Sequence, residues 1–190
     1  WAADSATLFH VTEYDAKRAF RLWRHQLGDP DDTLLWEESD ELFRLGVWRS
    51  RSHTLLFCAS RSFTTTEYRY VSAHDITAPW RMLLAREHDH EYEVDHGAGL
   101  FYIRTNAGGR RNFRLVTAPE DDPRPERWTE LIPHREDVML EEVDVFAGHY
   151  VVLERAGGLN RLRVVRFDDG IARYVEFPEP TYDIESEPNP

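Results

Sequence analysis

Residues 42–84 read LFRLGVWRSRSHTLLFCASRSFTTTEYRYVSAHDITAPWRMLL, and this stretch decides the fold. Its first and third apolar segments alternate apolar with polar side chains, which is typical of half-buried strands. Its second segment is a continuous apolar run, typical of a strand that is buried on both faces. Polar turns of hairpin length separate the segments. The stretch therefore predicts four consecutive strands, at residues 42–48, 54–59, 67–71 and 80–84.

The same plan occurs four times along the chain. In each copy an apolar strand residue is followed twelve residues later by an Arg that lies between two large apolar residues. These pairs are Phe9/Arg21, Phe57/Arg69, Tyr102/Arg114 and Val151/Arg163. The copies are 48, 45 and 49 residues apart, and a strand-built repeat of that length is typical of a β-propeller. We therefore predict an all-β fold, a partial β-propeller of about four blades with four antiparallel strands each.

The repeat divides the chain into an incomplete first blade, three complete blades and the start of a further one. The boundaries fall at residues 1–38, 39–87, 88–136, 137–180 and 181–190. The first blade lacks its opening strand, and its other strands are predicted at residues 8–11, 20–26 and 33–36. The last segment begins a strand at residues 182–184. In the third and fourth blades the strands are predicted at residues 91–95, 100–104, 112–117, 128–132, 141–146, 149–154, 161–167 and 172–177.

Turn signals support this division. The pairs Gly108-Gly109 and Gly157-Gly158 stand in the same turn of two successive blades, where tight hairpins require positive φ angles. Residues 168–170, Asp-Asp-Gly, are a further hairpin signal. Residues 119–127 contain three prolines and are predicted to form a surface loop. Residues 14–27 show some helical spacing, but the repeat places a turn at residues 15–17.

Composition limits the possible partners. There are 23 Lys and Arg against 35 Asp and Glu, a net charge of −12, which argues against nucleic acid as a partner. The charge suits cationic peptides, or serves only to keep the protein soluble. No apolar stretch has the length of a membrane span and no signal peptide is present. The chain begins with Trp1 rather than Met, so a missing signal peptide says nothing about the gene product.

The single cysteine, Cys58, lies inside the apolar run at residues 55–59. One cysteine forms no disulfide within the chain. Its apolar surroundings favour a buried structural residue over a nucleophile. We expect a cytoplasmic protein, with the periplasm as the open alternative, because many periplasmic proteins also lack disulfides.

Candidate sites are few. Residues 88–96, HDHEYEVDH, are the densest group of potential ligands, and on a strand His90, Tyr92, Val94 and His96 share one face. His90 and His96 would lie about 20 Å apart along such a strand, too far to chelate one ion, so a polar lining for a propeller channel is favoured over a metal site. The repeated Arg could form a ring of ligands, but an outward-facing residue whose stem covers the neighbouring blade is the simpler interpretation.

Signatures of catalysis are also missing. The sequence has no Gly-x-Ser-x-Gly elbow, no Walker loop and no dinucleotide fingerprint. His, Asp and Ser are present, but no spacing singles out a triad. We therefore assign no catalytic, cofactor-binding or metal-ligating residue and no cofactor.

Several segments can be compared with known families. They include WAADS at residues 1–5, HEYEVDH at residues 90–96 and FYIRTN at residues 101–106. The others are residues 8–9, 21–28, 43–47, 64–67, 112–116, 131–135 and 140–146. In the right order along nearly all of the chain, these segments resemble the propeller of the oligopeptidase B branch of the prolyl oligopeptidase family of serine peptidases.

The resemblance implies a piece of a seven-bladed propeller that caps an α/β-hydrolase domain. In that family the hydrolase domain carries the Ser-Asp-His triad and, in oligopeptidase B, acidic pockets that select Lys or Arg before the cleaved bond. The propeller restricts access, so that only short peptides reach the catalytic Ser. This chain lacks the hydrolase domain, so no catalytic residue is transferred to it and the chain alone is predicted to be inactive.

Two functional hypotheses follow. The first is a non-catalytic, substrate-gating propeller fragment of a serine oligopeptidase that acts on short peptides. The second is a free-standing propeller-like module that binds a protein or peptide. Truncation at both ends favours the first. Because the end blades of an open arc leave apolar faces uncovered, we also expect self-association.

Overall fold

The computed structural model describes residues 1–14, 17–179 and 181–184. Fifteen strands and one short 3-10 turn, Pro125–Arg127, account for the regular structure of these residues. The strands are β1 Thr7–Glu13, β2 Ala19–Gln26, β3 Thr33–Glu37, β4 Arg44–Arg49, β5 Leu55–Arg61, β6 Thr66–Ser72, β7 Arg81–Leu84, β8 Tyr92–Gly97, β9 Leu100–Thr105, β10 Arg114–Pro119, β11 Thr129–Ile132, β12 Val138–Val145, β13 His149–Ala156, β14 Leu159–Arg166 and β15 Ala172–Tyr174.

The strands form four antiparallel sheets in which every strand pairs with its neighbour in sequence. The first sheet is β1-β2-β3, and the others are β4 to β7, β8 to β11 and β12 to β15 in order. This is the meander expected of a propeller blade, and it confirms the all-β prediction. The first sheet has three strands in the described part of the chain, which is the number predicted for a blade without its opening strand.

The second strand of the second sheet shows how the sheets pack. Every residue from Leu55 to Ser60 is buried. Phe57 packs with Phe101 and Ile103 of the third sheet, whereas its neighbour Cys58 packs with residues of the first sheet. Because successive side chains of a strand point to opposite faces, a sheet that lies between two others needs apolar residues at every position. This explains the continuous apolar run.

The third and fourth sheets share a second core. Ile103 of β9 faces the second sheet, while its neighbour Tyr102 packs with Leu140, Tyr150 and Val152 of the fourth sheet. The side chain of Val152 is fully buried. The four sheets are therefore stacked side by side, and each contributes one face to each neighbour.

Buried carboxylates reinforce the contacts between sheets. The carboxylate of Glu38, in the connection between β3 and β4, lies 2.6 Å from Arg86 and accepts a hydrogen bond of 2.6 Å from Ser60. Burial raises the pKa of Glu38, but the hydrogen bonds from Arg86, Ser60 and a main-chain N–H outweigh it, so the pKa is lowered. The connection is thereby fixed to the second sheet and to the segment that leads into the third.

The fourth sheet contains a comparable anchor. Glu154 of β13 has a side chain that is 1% exposed, and it pairs with Arg163 at 2.6 Å and with Arg135, which precedes β12. Tyr174 of β15 donates a hydrogen bond of 2.8 Å to the same carboxylate. The buried carboxylate of Glu154 therefore connects β13, β14 and β15 with the segment that leads into the fourth sheet.

Strand boundaries differ from the predictions by a few residues. β8 begins at Tyr92 rather than at residue 91 and continues to Gly97, and β10 lies at Arg114–Pro119 rather than at residues 112–117. Residues 182–184 form no strand, and residues 185–190, the rest of the segment predicted to start a further blade, lie outside the described part of the chain. Of the predicted turn at residues 15–17, two residues lie outside the described part.

The predicted turns have the expected geometry. The φ angles of Gly108 and Gly109 are +77° and +74°, and Gly157 and Gly158 are also positive. Beyond the end of β10, the predicted surface loop at residues 119–127 contains the 3-10 turn. In the described part of the chain no helix is long and apolar enough to cross a membrane.

Candidate functional site

The first strands of three successive sheets line one cavity. β4, β8 and β12 are each the opening strand of a four-stranded sheet, and together with the turn after β4 they enclose about 630 Å³. Trp48 and Val143 provide apolar surface, whereas Arg51, Glu93 and Asp144 provide charge. A volume of this size falls in the range of small-ligand and peptide sites. We therefore treat this cavity, the inner cavity, as the candidate site.

Arg51 connects three sheets across the inner cavity. It lies in the turn between β4 and β5, and its guanidinium is 2.6 Å from Asp144 of β12 and 3.7 Å from Asp95 of β8. The same group lies over the ring of Phe146, 4.7 Å from its centroid. One side chain of the second sheet therefore fixes the inner strands of the third and fourth.

A second group of charges lies two residues earlier along β8. Glu93 is 3.8 Å from Arg104 and 4.0 Å from Arg61. Arg104 also donates a hydrogen bond of 2.6 Å to the main-chain oxygen of Leu140 at the start of the fourth sheet. Burial lowers the pKa of Arg104, and the nearby glutamates oppose that shift. These contacts tie the inner edges of the second, third and fourth sheets together.

Asp95 is the most enclosed carboxylate of the inner cavity. Its oxygens accept main-chain N–H groups from Val145 at 2.7 Å and from His96 at 2.8 Å. Burial raises the pKa of Asp95, while these hydrogen bonds and Arg51 lower it, and the net shift is upward. Asp95 therefore holds β12 against β8 more than it offers a charge to a ligand.

The structure divides the His-rich stretch between two environments. His90, Tyr92, Val94 and His96 are all buried in the packing toward the second sheet, as the predicted shared face requires. His90 is 2.8 Å from the hydroxyl of Thr105, and burial lowers its pKa. The channel-lining role predicted for the stretch falls to Glu93 and Asp95 on the other face, and neither histidine is among the residues that line the inner cavity.

His96 takes part in an array that the sequence does not reveal. Its Nδ1 is 2.8 Å from the hydroxyl of Ser52, and its Nε2 is 3.0 Å from the carboxylate of Glu120. Ser, His and an acid are the components of a hydrolytic triad. The hydroxyl of Ser52 is, however, also 2.9 Å from those of Ser50 and Thr54. The array is a chain of hydroxyls and one imidazole that joins the second sheet to the third.

The repeated Arg lies near a carboxylate of its own sheet in all four copies. Arg21 is 2.6 Å from Glu37, Arg114 is 3.2 Å from Glu130, and the remaining pairs are Arg69 with Glu67 and Arg163 with Glu154. In two copies the guanidinium also covers a Trp, with Arg69 over Trp36 and Arg114 over Trp128. The recurrence is therefore a structural feature of the blades rather than a ring of ligands.

The cysteine and the possibility of a metal site are the remaining site predictions. Cys58 is buried, and burial raises its pKa to about 12, which keeps the thiol protonated and unreactive at neutral pH. Among residues 1–14, 17–179 and 181–184, no three His, Cys, Asp or Glu residues are placed to hold one metal ion.

Comparison with known proteins places this geometry in context. Residues 1–189 match the family described as prolyl oligopeptidase, N-terminal beta-propeller domain. Dipeptidyl aminopeptidase BI of Pseudoxanthomonas mexicana is 37% identical, over 100% of this chain and 26% of that protein. Protease 2 of Moraxella lacunata is 28% identical, over 97% of this chain and 26% of that protein.

Solved structures agree with the sequence relatives. Oligopeptidase B from Leishmania major superposes with a TM-score of 0.88 at 30% identity, covering 95% of this chain and 27% of that one. Oligopeptidase B from Trypanosoma brucei, in a closed form with covalently bound antipain, gives a TM-score of 0.87, also at 30% identity and with the same coverage of both chains. The chain spans about a quarter of the length of these relatives.

Proposed function

The chain belongs to the prolyl oligopeptidase family as part of its N-terminal β-propeller domain, and from that premise we propose that it gates access to the catalytic domain of a serine peptidase. The chemistry is carried out by a hydrolase domain outside this chain. The propeller admits short peptides and excludes folded proteins. Resemblance to oligopeptidase B further implies cleavage after Lys or Arg, and the net charge of −12 suits cationic peptides.

The observation that supports gating is the cross-linked inner edge of the sheets. Arg51 joins the opening strands of the third and fourth sheets to the second, and Arg104 adds a further contact to the fourth. An edge fixed in this way resists widening. A folded domain of 100 residues has a radius of gyration of about 13 Å, so it is far too large for an inner cavity of about 630 Å³. An extended peptide is much narrower.

The proposal is tested on the complete protein that contains this chain. Peptides of increasing length would carry one Arg at a fixed distance from the amino end, and the same sequence would also be placed in a loop of a folded protein. We expect kcat/KM to fall steeply with length and cleavage of the folded protein to be absent. Equal rates for short peptides and the folded protein would contradict gating.

A variant of the inner edge sharpens this test. Arg51→Ala removes the contacts to Asp95 and Asp144, so we expect longer peptides to be cleaved relatively faster. Arg124→Ala is the matched control, because Arg124 pairs with Asp122 in the exposed loop after β10 and has no ion pair to the inner edge in the described part of the chain. If Arg51→Ala leaves the length dependence unchanged, the contacts of Arg51 at the inner edge do not control which peptides are excluded.

Product analysis decides the cleavage position. Release of fragments that end in Lys or Arg supports the oligopeptidase B-like specificity. Release of successive dipeptides would instead match the name of the Pseudoxanthomonas relative. Either result leaves the gating measurement valid, because gating concerns substrate length.

The 190-residue chain alone tests where the chemistry resides. We expect no turnover of an Arg ester, since the chain is proposed to lack the catalytic groups. Turnover that a serine-directed inhibitor blocks would contradict this. Ser52→Ala would then show whether the array of Ser52, His96 and Glu120 is its source.

A further inference from the structure

A second pocket lies on the rim next to the inner cavity. Three equivalent hairpin turns converge there: the turn after β4 with Ser52 and Thr54, the turn after β8 at residues 97–99, and the turn after β12 at residues 146–147. Together with Glu120 they enclose about 680 Å³, which is enough for an amino-acid side chain and its flanking main chain. We call it the rim pocket.

Most of the rim pocket is apolar. Val145, Phe146, Ala147 and Ala98 form its walls. The backbone of the turn after β8 approaches β12 closely at Gly97, where an added Cβ would lie 2.7 Å from a methyl group of Val145. The pocket can therefore cover the aliphatic part of a ligand.

One carboxylate at the edge of the rim pocket is held in place and still available. Oε2 of Glu120 is 3.0 Å from Nε2 of His96. An ionised carboxylate only accepts hydrogen bonds, so Nε2 of His96 donates to it. The side chain of His96 is 3% exposed, whereas that of Glu120 is 40% exposed. Within the described part of the chain, Oε1 of Glu120 has no hydrogen-bond partner.

The charges around the rim pocket favour a cation. Arg51 contributes the guanidinium on its wall, and that group is already paired with Asp144 at 2.6 Å and lies 3.7 Å from Asp95. Glu120 adds a third carboxylate. A cation that enters would therefore meet the carboxylate of Glu120, while the positive charge of Arg51 is offset by its own two carboxylate partners.

We propose that the rim pocket binds the basic group of a peptide, a guanidinium or ammonium on an aliphatic stem, with Glu120 as its counter-ion. His96 and Ser52 are positioning residues that aim the carboxylate. This inference deepens the proposed function and rests on it for the source of the ligand, since it adds a contact between the propeller itself and a passing peptide.

Direct binding to the 190-residue chain provides the test. The probes are N-acetyl-arginine amide and N-acetyl-citrulline amide, which have nearly the same shape and differ in charge. We expect saturable binding of the arginine probe, seen by calorimetry, and at least about tenfold weaker binding of the citrulline probe, which corresponds to about 1.4 kcal/mol. N-acetyl-lysine amide distinguishes a site for a guanidinium from a site for any cation. A site that requires a planar group would bind the arginine probe and reject the lysine probe.

Two variants locate the site. Glu120→Gln keeps an acceptor for His96 but removes the charge, so we expect at least about tenfold weaker binding of the arginine probe. Ala147→Trp fills the pocket and should abolish binding without any change in charge. Glu130→Gln, an exposed carboxylate that pairs with Arg114, is the matched control and should bind like the unsubstituted chain.

The results separate this inference from gating. Equal binding of arginine and citrulline probes, no binding up to the solubility limit, or unchanged binding by Glu120→Gln would each overturn the inference. None of these results bears on the length dependence measured with the complete protein. Loss of length dependence there, with selective binding here, would overturn gating alone.

Discussion

The second and fourth sheets are built on the same plan but are buried very differently. Phe57 of β5 is fully buried between the second and third sheets. In the equivalent strand of the fourth sheet, β13, His149 and Val151 are only half-buried, and Ile171 just before β15 is 46% exposed. A blade is hydrophobic on both faces only where a neighbour covers both. The contrast shows that the core of this fold lies between sheets rather than within them.

The two sheets also differ in what holds them. The second sheet relies on aromatic packing, in which the ring of Phe57 lies 6.2 Å from Phe101 and 6.1 Å from Tyr68. The outer strands of the fourth sheet rely on the buried carboxylate of Glu154 and its hydrogen bond from Tyr174. The stabilisation from aromatic packing grows with the apolar area that is buried. The stabilisation from Glu154 requires that its buried charge is fully paired.

The largest expected effect comes from the aromatic core. Phe57→Ala leaves a cavity between two sheets and should lower the free energy of unfolding by about 3–5 kcal/mol. Ile171→Ala on the fourth sheet should change it by no more than about 0.5 kcal/mol, because the side chain is half exposed. Denaturant unfolding of both variants measures the difference. Equal losses would show that the second sheet is not supported by its neighbours.

The next effect concerns the anchor of the fourth sheet. Glu154→Gln leaves the guanidinium groups of Arg135 and Arg163 without their charged partner, and we expect a loss of about 2 kcal/mol in the free energy of unfolding. Glu130→Gln removes an exposed partner of the equivalent repeated Arg and should cost less than about 1 kcal/mol. Denaturant unfolding of both variants measures the two losses. A small loss for Glu154→Gln would mean that packing alone holds the fourth sheet.

A pH-dependent effect is expected where the first sheet joins the second. The pKa of Glu38 is lowered below its ordinary value of 4.5 in the folded chain. Its stabilising contribution is therefore present above the pKa of the unfolded state and lost as pH falls through the folded value. Glu38→Gln should cost about 1–2 kcal/mol at neutral pH, and this difference from the unsubstituted chain should shrink as the pH falls below about 4.5.

The control for this titration is the neighbouring residue. Glu37 forms an exposed pair with Arg21, with side chains that are 44% and 41% exposed. Glu37→Gln should therefore differ from the unsubstituted chain by less than about 1 kcal/mol at any pH. A difference for Glu38→Gln that stays constant down to acidic pH would show that its charge does not stabilise the junction.

The sequence predicted these two regions unequally. The continuous apolar run at residues 54–59 correctly predicted a strand buried on both faces, because its pattern is local and has a single structural meaning. The inner cavity was not predicted. Arg51 lies in a polar turn without periodicity, and its partner Asp144 is 93 residues away. A charged residue in a turn is ordinarily solvated, and only the stacking of the sheets makes it a link between three of them.

The rim pocket was missed for a related reason. Ser52, His96 and Glu120 belong to three separate turns or strand ends, and their spacing resembles no known motif. The His-rich stretch gave a partial signal, since its alternation placed His96 on the buried face. Nothing local could indicate that a serine 44 residues earlier and a glutamate in the loop after β10 would meet that imidazole.

The smallest effect on stability, yet one that is easily measured, concerns association between chains. Ile171 and Val175 are 46% and 42% exposed near β15, and exposed apolar groups of this kind favour contact between copies. We expect the isolated chain to self-associate weakly through this part of the fourth sheet. Replacing both residues with Lys should shift the chain to a monomer in sedimentation experiments while changing the free energy of unfolding by no more than about 0.5 kcal/mol.

A residue of the second sheet provides the comparison. Phe63, in the turn between β5 and β6, is 97% exposed, so Phe63→Ser removes more exposed apolar surface than either substitution near β15. If exposure alone drives association, Phe63→Ser should reduce it most. If the partly covered face of the fourth sheet is responsible, Phe63→Ser should leave association unchanged, because an isolated ring in a turn presents no continuous surface. A clean monomer at high concentration for the unsubstituted chain would contradict both interpretations.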